Sequence, residues 1–143
     1  MNTQNVNLLN QLYKNADMGA SSLKALIPEV TDATMRDKLN FQLKNYKQVK
    51  EQAETQLLEM GISPKEQSGL AKAMADISVK LNTFKDRSAS HISEMMIEGS
   101  NMGIIELNKA LNQNPQADDQ IKQQANELMQ FEQNSINDLK TWL

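Results

Sequence analysis

Few side chains in this sequence have the chemistry of a metal site or a catalytic centre. The only histidine, His91, and the carboxylate of Glu98 lie in the stretch 88–112, and Glu132 lies near the end of the chain. Imidazole and carboxylate groups are ligands that iron, manganese and zinc accept. These three residues are therefore the candidate ligands of an atypical metal or redox site, to which a second copy of the chain could add further ligands.

The same carboxylates also allow an interpretation without metal. At helical spacing, Glu132 comes within one turn of Glu98 when the last two helices pair about residue 113. Gln42 and Tyr46 lie on the inner face of an earlier helix. A buried carboxylate keeps hydrogen-bond partners or takes up a proton. The sequence therefore favours a mid-bundle polar cluster of hydrogen bonds over a metal site, with both interpretations left open.

Two glycines, Gly99 and Gly103, stand four residues apart inside the same predicted helix. A glycine in a helix interior costs roughly 1 kcal/mol relative to alanine, so a pair of them needs a structural reason. The pattern favours close packing against another helix backbone. The alternative is that the glycines make room for a ligand or a metal.

Composition excludes several classes of function. The chain has no cysteine, so it has neither disulfides nor zinc–thiolate sites. It has no serine–histidine–acid arrangement of the catalytic kind and no glycine-rich phosphate loop, which predicts a protein that is not an enzyme. The net charge of −3 and the few aromatic residues argue against nucleic acid. No signal peptide and no run of about 20 apolar residues is present, so we expect a cytoplasmic protein that does not enter membranes.

The elements that must position these residues are all helical. Apolar residues recur every three or four positions, and prolines, glycines and capping residues separate the repeats. A chain of this length is expected to form one domain, residues 1–143. The predicted helices cover about 3–27, 32–60, 64–85, 88–112 and 115–142.

The segment 64–112 allows two arrangements. Its apolar stripes are nearly in phase, so a single helix of about 50 residues, roughly 75 Å long, is possible. Alternatively the helix breaks near residue 88, where Ser88 or Ser90 could cap a new start. The sequence favours the break, which makes 64–85 a long crossover along the bundle.

Two antiparallel helical hairpins joined by a long crossover form one of the known four-helix-bundle topologies. The stretches KNADMG (14–19), LNTFKDRSASHISEMMIEGSNMGI (81–104) and FEQNSINDLK (131–140) strengthen this expectation. On these stretches the chain resembles the ferritin-like superfamily, in particular its small rubrerythrin-related members of unknown function. The resemblance implies an all-α, ferritin-like four-helix bundle and no agreed chemistry.

The sequence departs from the ligand set of ferritin-like di-iron proteins. That site takes a glutamate from each of two helices and a Glu-x-x-His motif from each of the other two. This chain has one histidine, and His91-x-x-Glu94 has the reversed order. We therefore expect a non-enzymatic bundle without a cofactor, acting in interaction or assembly as a homo-oligomer or with an unknown protein partner. The alternatives are a metal-binding or redox protein holding iron, manganese or zinc, and a carrier of an apolar ligand.

Overall fold

The computed structural model describes residues 2–64 and 88–143, which form four long helices and contain no strand. Two short 3₁₀ turns, Ile27–Glu29 and Lys140–Trp142, follow the first and the last helix. The prediction of an all-α chain with helices packed against one another is confirmed for these residues. The predicted crossover lies, from residue 65 onward, outside the described residues. The four helices are α1 (Thr3–Leu26), α2 (Ala33–Glu59), α3 (Ala89–Gln113) and α4 (Asp119–Leu139).

Polar side chains cap the N-termini of the first three helices. Asn2 accepts hydrogen bonds from two backbone N–H groups of the first turn of α1. Asp32 accepts from the Met35 N–H of α2 at 2.8 Å, and Ser88 accepts from the His91 N–H of α3 at 3.2 Å. Ser88 has extended backbone angles (φ −64°, ψ 154°), so α3 begins anew at Ala89. An unbroken helix through 64–112 is therefore excluded, in favour of the predicted break.

The predicted start of the last helix at residue 115 is wrong, since α4 begins at Asp119. Asn114 ends α3, where its side-chain N–H donates to the Ala110 carbonyl at 2.8 Å. The helix begins at Asp119, and the side chain of the preceding Asp118 forms no capping hydrogen bond, because its carboxylate accepts from the Asn5 amide of α1 at 2.9 Å. Asparagine side chains compete readily for backbone groups, and the Asn114 side chain bonds back to its own helix and does not cap α4.

Helix α1 packs against each of the other three helices. It runs antiparallel to α3, since Asn7 bonds Asn114 and Asn15 bonds the Gly103 carbonyl. Helix α2 packs against α1 and α4, and α3 packs against α4. Within the described residues no helix is both long and apolar enough to cross a membrane. The largest fully buried side chains come from all four helices: Leu8, Leu9, Leu12, Leu23, Met35, Leu39, Leu57, Ile92, Leu107, Leu128 and Leu139.

Candidate functional site

A single carboxyl group, that of Glu132 on α4, lies in the middle of this packing with 3 % of its surface exposed. The Asn15 amide of α1 donates to Glu132 Oε1 at 3.5 Å, and the Tyr46 hydroxyl of α2 donates to Glu132 Oε2 at 3.4 Å. Both distances are at the long end for hydrogen bonds, so each bond is weak. The carboxyl therefore joins three helices through neutral partners.

The fourth helix contributes a glycine. A Cβ built at Gly103 of α3 would overlap both carboxyl oxygens of Glu132, so only glycine leaves space for this side chain. The Asn15 amide also donates to the Gly103 carbonyl at 3.0 Å. Asn15, Gly103 and Glu132 thus fix α1, α3 and α4 to one another at one point.

Neighbouring residues also fix the position of the Tyr46 ring. A Cβ at Gly19 of α1 would lie 2.7–2.8 Å from the ring carbons, which is too close for any residue but glycine unless the ring moves. Phe131 packs edge-on against the ring at a centroid distance of 5.5 Å. Tyr46 also hydrogen-bonds the buried Ser100 of α3. Residues from all four helices therefore set the position of the phenol.

Burial dominates the electrostatics of the cluster. It raises the pKa of Glu132 to about 8, and the hydrogen bonds from Asn15 and Tyr46 oppose this only in part. Burial, followed by the nearby Glu132 carboxyl, also raises the pKa of Tyr46 well above its ordinary value. At neutral pH both side chains are therefore neutral, because the surroundings contribute too few donors to stabilise a negative charge.

Gln42 lies one turn from Tyr46 on α2 and has 2 % of its surface exposed. Neither its amide nitrogen nor its amide oxygen has a hydrogen-bond partner in the part of the chain that the structure describes. The structure therefore brings Glu132 and Tyr46 together, as the sequence pattern indicates, but Gln42 forms no hydrogen bond with either of them.

The prediction that Glu98 joins this cluster is wrong, since Glu98 is exposed. Helix α3 turns Ser93, Met96 and Ser100 toward the core, and Glu98 lies about 200° around the helix from Ser100 at 100° per residue. Gly99 is exposed too, and a Cβ built there would have no atom within 4 Å. Close helix packing at Gly99 is therefore also wrong, whereas Gly103 packs against a carboxyl rather than a backbone.

The three candidate metal ligands do not form a group. The ring of His91 is about one-third exposed and lies 3.3 Å from the carboxylate of Glu94, its neighbour one turn along α3. Glu98 is at the surface and Glu132 is in the core. Across 2–64 and 88–143, no cluster of three histidine, aspartate or glutamate side chains is arranged to hold a metal ion.

Sequence reasoning missed two members of the cluster, Asn15 and Ser100. Asn15 stands next to the apolar stripe of α1, and Ser100 lies seven residues after Ser93 on the buried face of α3. A seven-residue repeat of small polar residues inside an apolar stripe was the available signal for Ser100. No local signal distinguishes Asn15 from the other asparagines of α1.

Compared with known proteins, the chain matches no family model, no curated protein and no solved structure. The ferritin-like resemblance therefore remains a prediction that depends on the sequence stretches and the predicted topology.

Proposed function

We propose that the protein is a non-enzymatic, ferritin-like helical bundle whose role is to bind other protein chains, and in the first place a second copy of itself. The observation that carries this proposal is a surface on α3, here called the α3 face and formed by Gly99, Met102 and Ile105. Met102 is 55 % exposed and Ile105 46 % exposed. Their spacing of three residues places all three on neighbouring parts of one side of the helix.

The α3 face is complementary to itself. Gly99 lies three residues before Met102, and Ile105 lies three residues after it. When two copies of α3 pack antiparallel with the twofold axis at Met102, Ile105 of each copy meets Gly99 of the other. A twofold axis requires the same patch on both copies to fit itself, and a bulky residue opposite an open glycine meets this requirement.

Charged residues beside the α3 face favour the same antiparallel orientation. Lys109, whose side chain is 62 % exposed, has only a loose contact of 3.7 Å with Glu106 on its own helix. In the antiparallel pair with its axis at Met102, a residue that follows Met102 in one copy lies opposite the residue that precedes Met102 by the same number of positions in the other. Lys109 of each copy therefore comes within about one turn of Glu94 and Glu98 of the other. Exposed ion pairs contribute little affinity, so these charges orient the pair while the apolar contact holds it.

The interior supports a structural rather than a catalytic role for the buried polar residues. Glu132 contacts Asn15, Tyr46 and Gly103 and is almost fully enclosed. A general acid or base has to come within hydrogen-bond reach of its substrate. An enclosed carboxyl that is hydrogen-bonded to α1 and α2 and packed against α3 is placed to fix those helices.

Sedimentation equilibrium of the full chain over a wide concentration range tests the proposal. We expect reversible monomer–dimer association that Met102→Glu abolishes. Leu58→Glu is the matched control, because Leu58 is equally exposed (56 %) but lies on α2. A chain that stays monomeric throughout, or equal loss of association in both variants, would overturn self-association. Stoichiometric iron, manganese or zinc in protein purified without chelators, lost in Glu132→Ala, would overturn the non-enzymatic assignment in favour of a metal protein.

A further inference from the structure

We infer that protonation of Glu132 controls how three helices pack in the core. With its proton the side chain closes the junction of α1, α3 and α4 at Gly103, and loss of the proton opens that junction. This device goes beyond the proposed self-association, because it resides in the core and concerns the monomer. Its basis is the geometry around one carboxyl group.

The space that holds the carboxyl fits a neutral group. Glu132 fills the position where a side chain at Gly103 would begin, so it has no room to move toward α3. Its two protein donors, the Asn15 amide and the Tyr46 hydroxyl, are 3.5 Å and 3.4 Å away. A buried carboxylate needs several short hydrogen bonds or an opposite charge to be tolerated. Two long bonds from neutral donors do not meet that need.

The groups that face the carboxyl from each helix carry no positive charge. From α1 it meets the amide of Asn15, from α2 the phenol of Tyr46, and from α3 only Gly103. Along α1, the charged neighbours of Asn15 are Lys14, which is exposed, and Asp17, which pairs with Lys50 of α2 at 2.7 Å. Within residues 2–64 and 88–143, Tyr46 is the only other titratable group in contact. Burial raises its pKa well above the ordinary value, so it stays neutral while Glu132 titrates.

The Glu132 carboxyl is expected to titrate in a pH range that includes neutrality. Burial raises the pKa of Glu132 to about 8, whereas a solvated glutamate has its ordinary value of 4.5. Between these values the closed junction keeps a proton that the open junction releases, so the closed form loses stability as pH rises. Above about pH 8 both forms are ionised and the dependence ends. The device therefore responds to pH changes around neutrality.

The junction also transmits the change to its neighbours. Asn15 bonds both Glu132 and the Gly103 carbonyl, so movement of the carboxylate disturbs the α1–α3 contact as well as the α3–α4 contact. The α3 helix carries this junction and the exposed Met102 and Ile105 side by side. We therefore expect the opening to be seen at backbone amides of α3 near residues 100–104 and of α4 near 129–133.

Hydrogen exchange of the full chain, corrected for the intrinsic pH dependence of exchange, tests the inference. At these amides the opening constant is expected to rise about tenfold per pH unit from about pH 5 to about pH 8 and then to level off. Glu132→Gln keeps the shape of the side chain without its charge, so in this variant the opening constant is expected to be flat. Glu98→Gln, a change of the same type at an exposed position on α3, is expected to keep the wild-type slope.

A second measurement on the unaltered protein keeps the inference open to refutation if Glu132→Gln folds poorly. The carboxyl carbon of Glu132, followed by ¹³C NMR, is expected to titrate near pH 8, far above the range of exposed glutamates. Titration of this carbon in the ordinary range of glutamate, or an equal slope of exchange in wild type and Glu132→Gln, would overturn the inference.

Discussion

Gly99 and Gly103 offer an internal comparison, because they occupy the same helix four residues apart and have opposite surroundings. Replacing either with alanine improves helix propensity by about 1 kcal/mol. At Gly99 nothing lies within 4 Å of the new methyl group, so the full gain is expected. At Gly103 the methyl group overlaps the carboxyl of Glu132, which has to leave its place.

The free-energy cost of Gly103→Ala can be estimated from the interactions that the Glu132 carboxyl loses. Its displacement breaks the bonds with Asn15 and Tyr46, which are long and therefore each worth only roughly 0.5 kcal/mol. Overpacking a filled core costs a further 1–3 kcal/mol or so. Set against the propensity gain, Gly103→Ala is expected to lower the free energy of unfolding by about 1–3 kcal/mol. The difference between the two variants is then about 2–4 kcal/mol, with the propensity contribution cancelled.

Guanidinium denaturation followed by far-UV circular dichroism measures both free energies, at a protein concentration where the chain is monomeric. The double variant Gly103→Ala with Glu132→Ala removes the overlapping group, so most of the loss at Gly103 is expected to disappear in a double-mutant cycle. The reasoning would be refuted if Gly103→Ala were as stable as Gly99→Ala, or if the cycle showed no coupling between residues 103 and 132.

Three further substitutions test single contacts by the same denaturation assay. Gln42→Met replaces a buried amide that has no partner among the described residues by an apolar side chain of similar length. It is expected to raise the free energy of unfolding by about 1–3 kcal/mol, and a loss would show that the amide is satisfied. Asp32→Ala removes the cap of α2 and is expected to cost about 1 kcal/mol, whereas the exposed Asp37→Ala, inside the same helix, should cost little. Asp17→Asn weakens the 2.7 Å contact with Lys50 and is expected to cost about 1–3 kcal/mol, and an unchanged midpoint would contradict this.

The helix boundaries could be predicted from the sequence because they depend on local chemistry. Asp32 and Ser88 cap the helices that follow them, and both are of residue types that prefer the N-cap position. The start of α4 differs from the prediction because the Asn114 side chain bonds back to Ala110 of α3. The Asp118 side chain does not cap α4 either, since it is bonded to Asn5, more than a hundred residues earlier in the chain. Local patterns cannot contain that contact.

The candidate site was predictable only in part, because the rotation of α3 about its axis was misjudged. The pattern places Gly99 on the inner face, whereas the structure places Ser93 and Ser100 there and turns Glu98 and Gly99 outward. Serine counts as polar in such patterns although its side chain is small enough to fit inside a core, and the buried Ser93 hydroxyl has no hydrogen-bond partner among the described residues. Tyr46 and Glu132 lie on strongly periodic stripes, so their inward position follows from spacing.

The cost of keeping a carboxyl group at position 132 can be stated as a free energy. Its pKa is about 8 in the folded chain and 4.5 when solvated, and each unit corresponds to 1.36 kcal/mol. The raised value means that stability is greatest below about pH 4.5 and falls as pH rises toward 8, by about 5 kcal/mol in total and about 3 kcal/mol at pH 7. Glutamine at this position avoids that loss, since it fills the same space and never ionises.

Glu132→Gln is therefore expected to stabilise the chain by about 3 kcal/mol at pH 7 and to change stability little near pH 4. Denaturation at the two pH values checks this, with Glu98→Gln as the control that leaves the difference unchanged. Equal stability of Glu132→Gln and wild type at pH 7 would show that the carboxyl group is not neutral in the folded chain. A loss of this size is large beside the 5–15 kcal/mol or so that stabilises a typical domain. A side chain that lowers stability by this much is expected to be kept where a protein uses it. For this reason a role is assigned to the proton on Glu132 and not to the packing of the side chain alone.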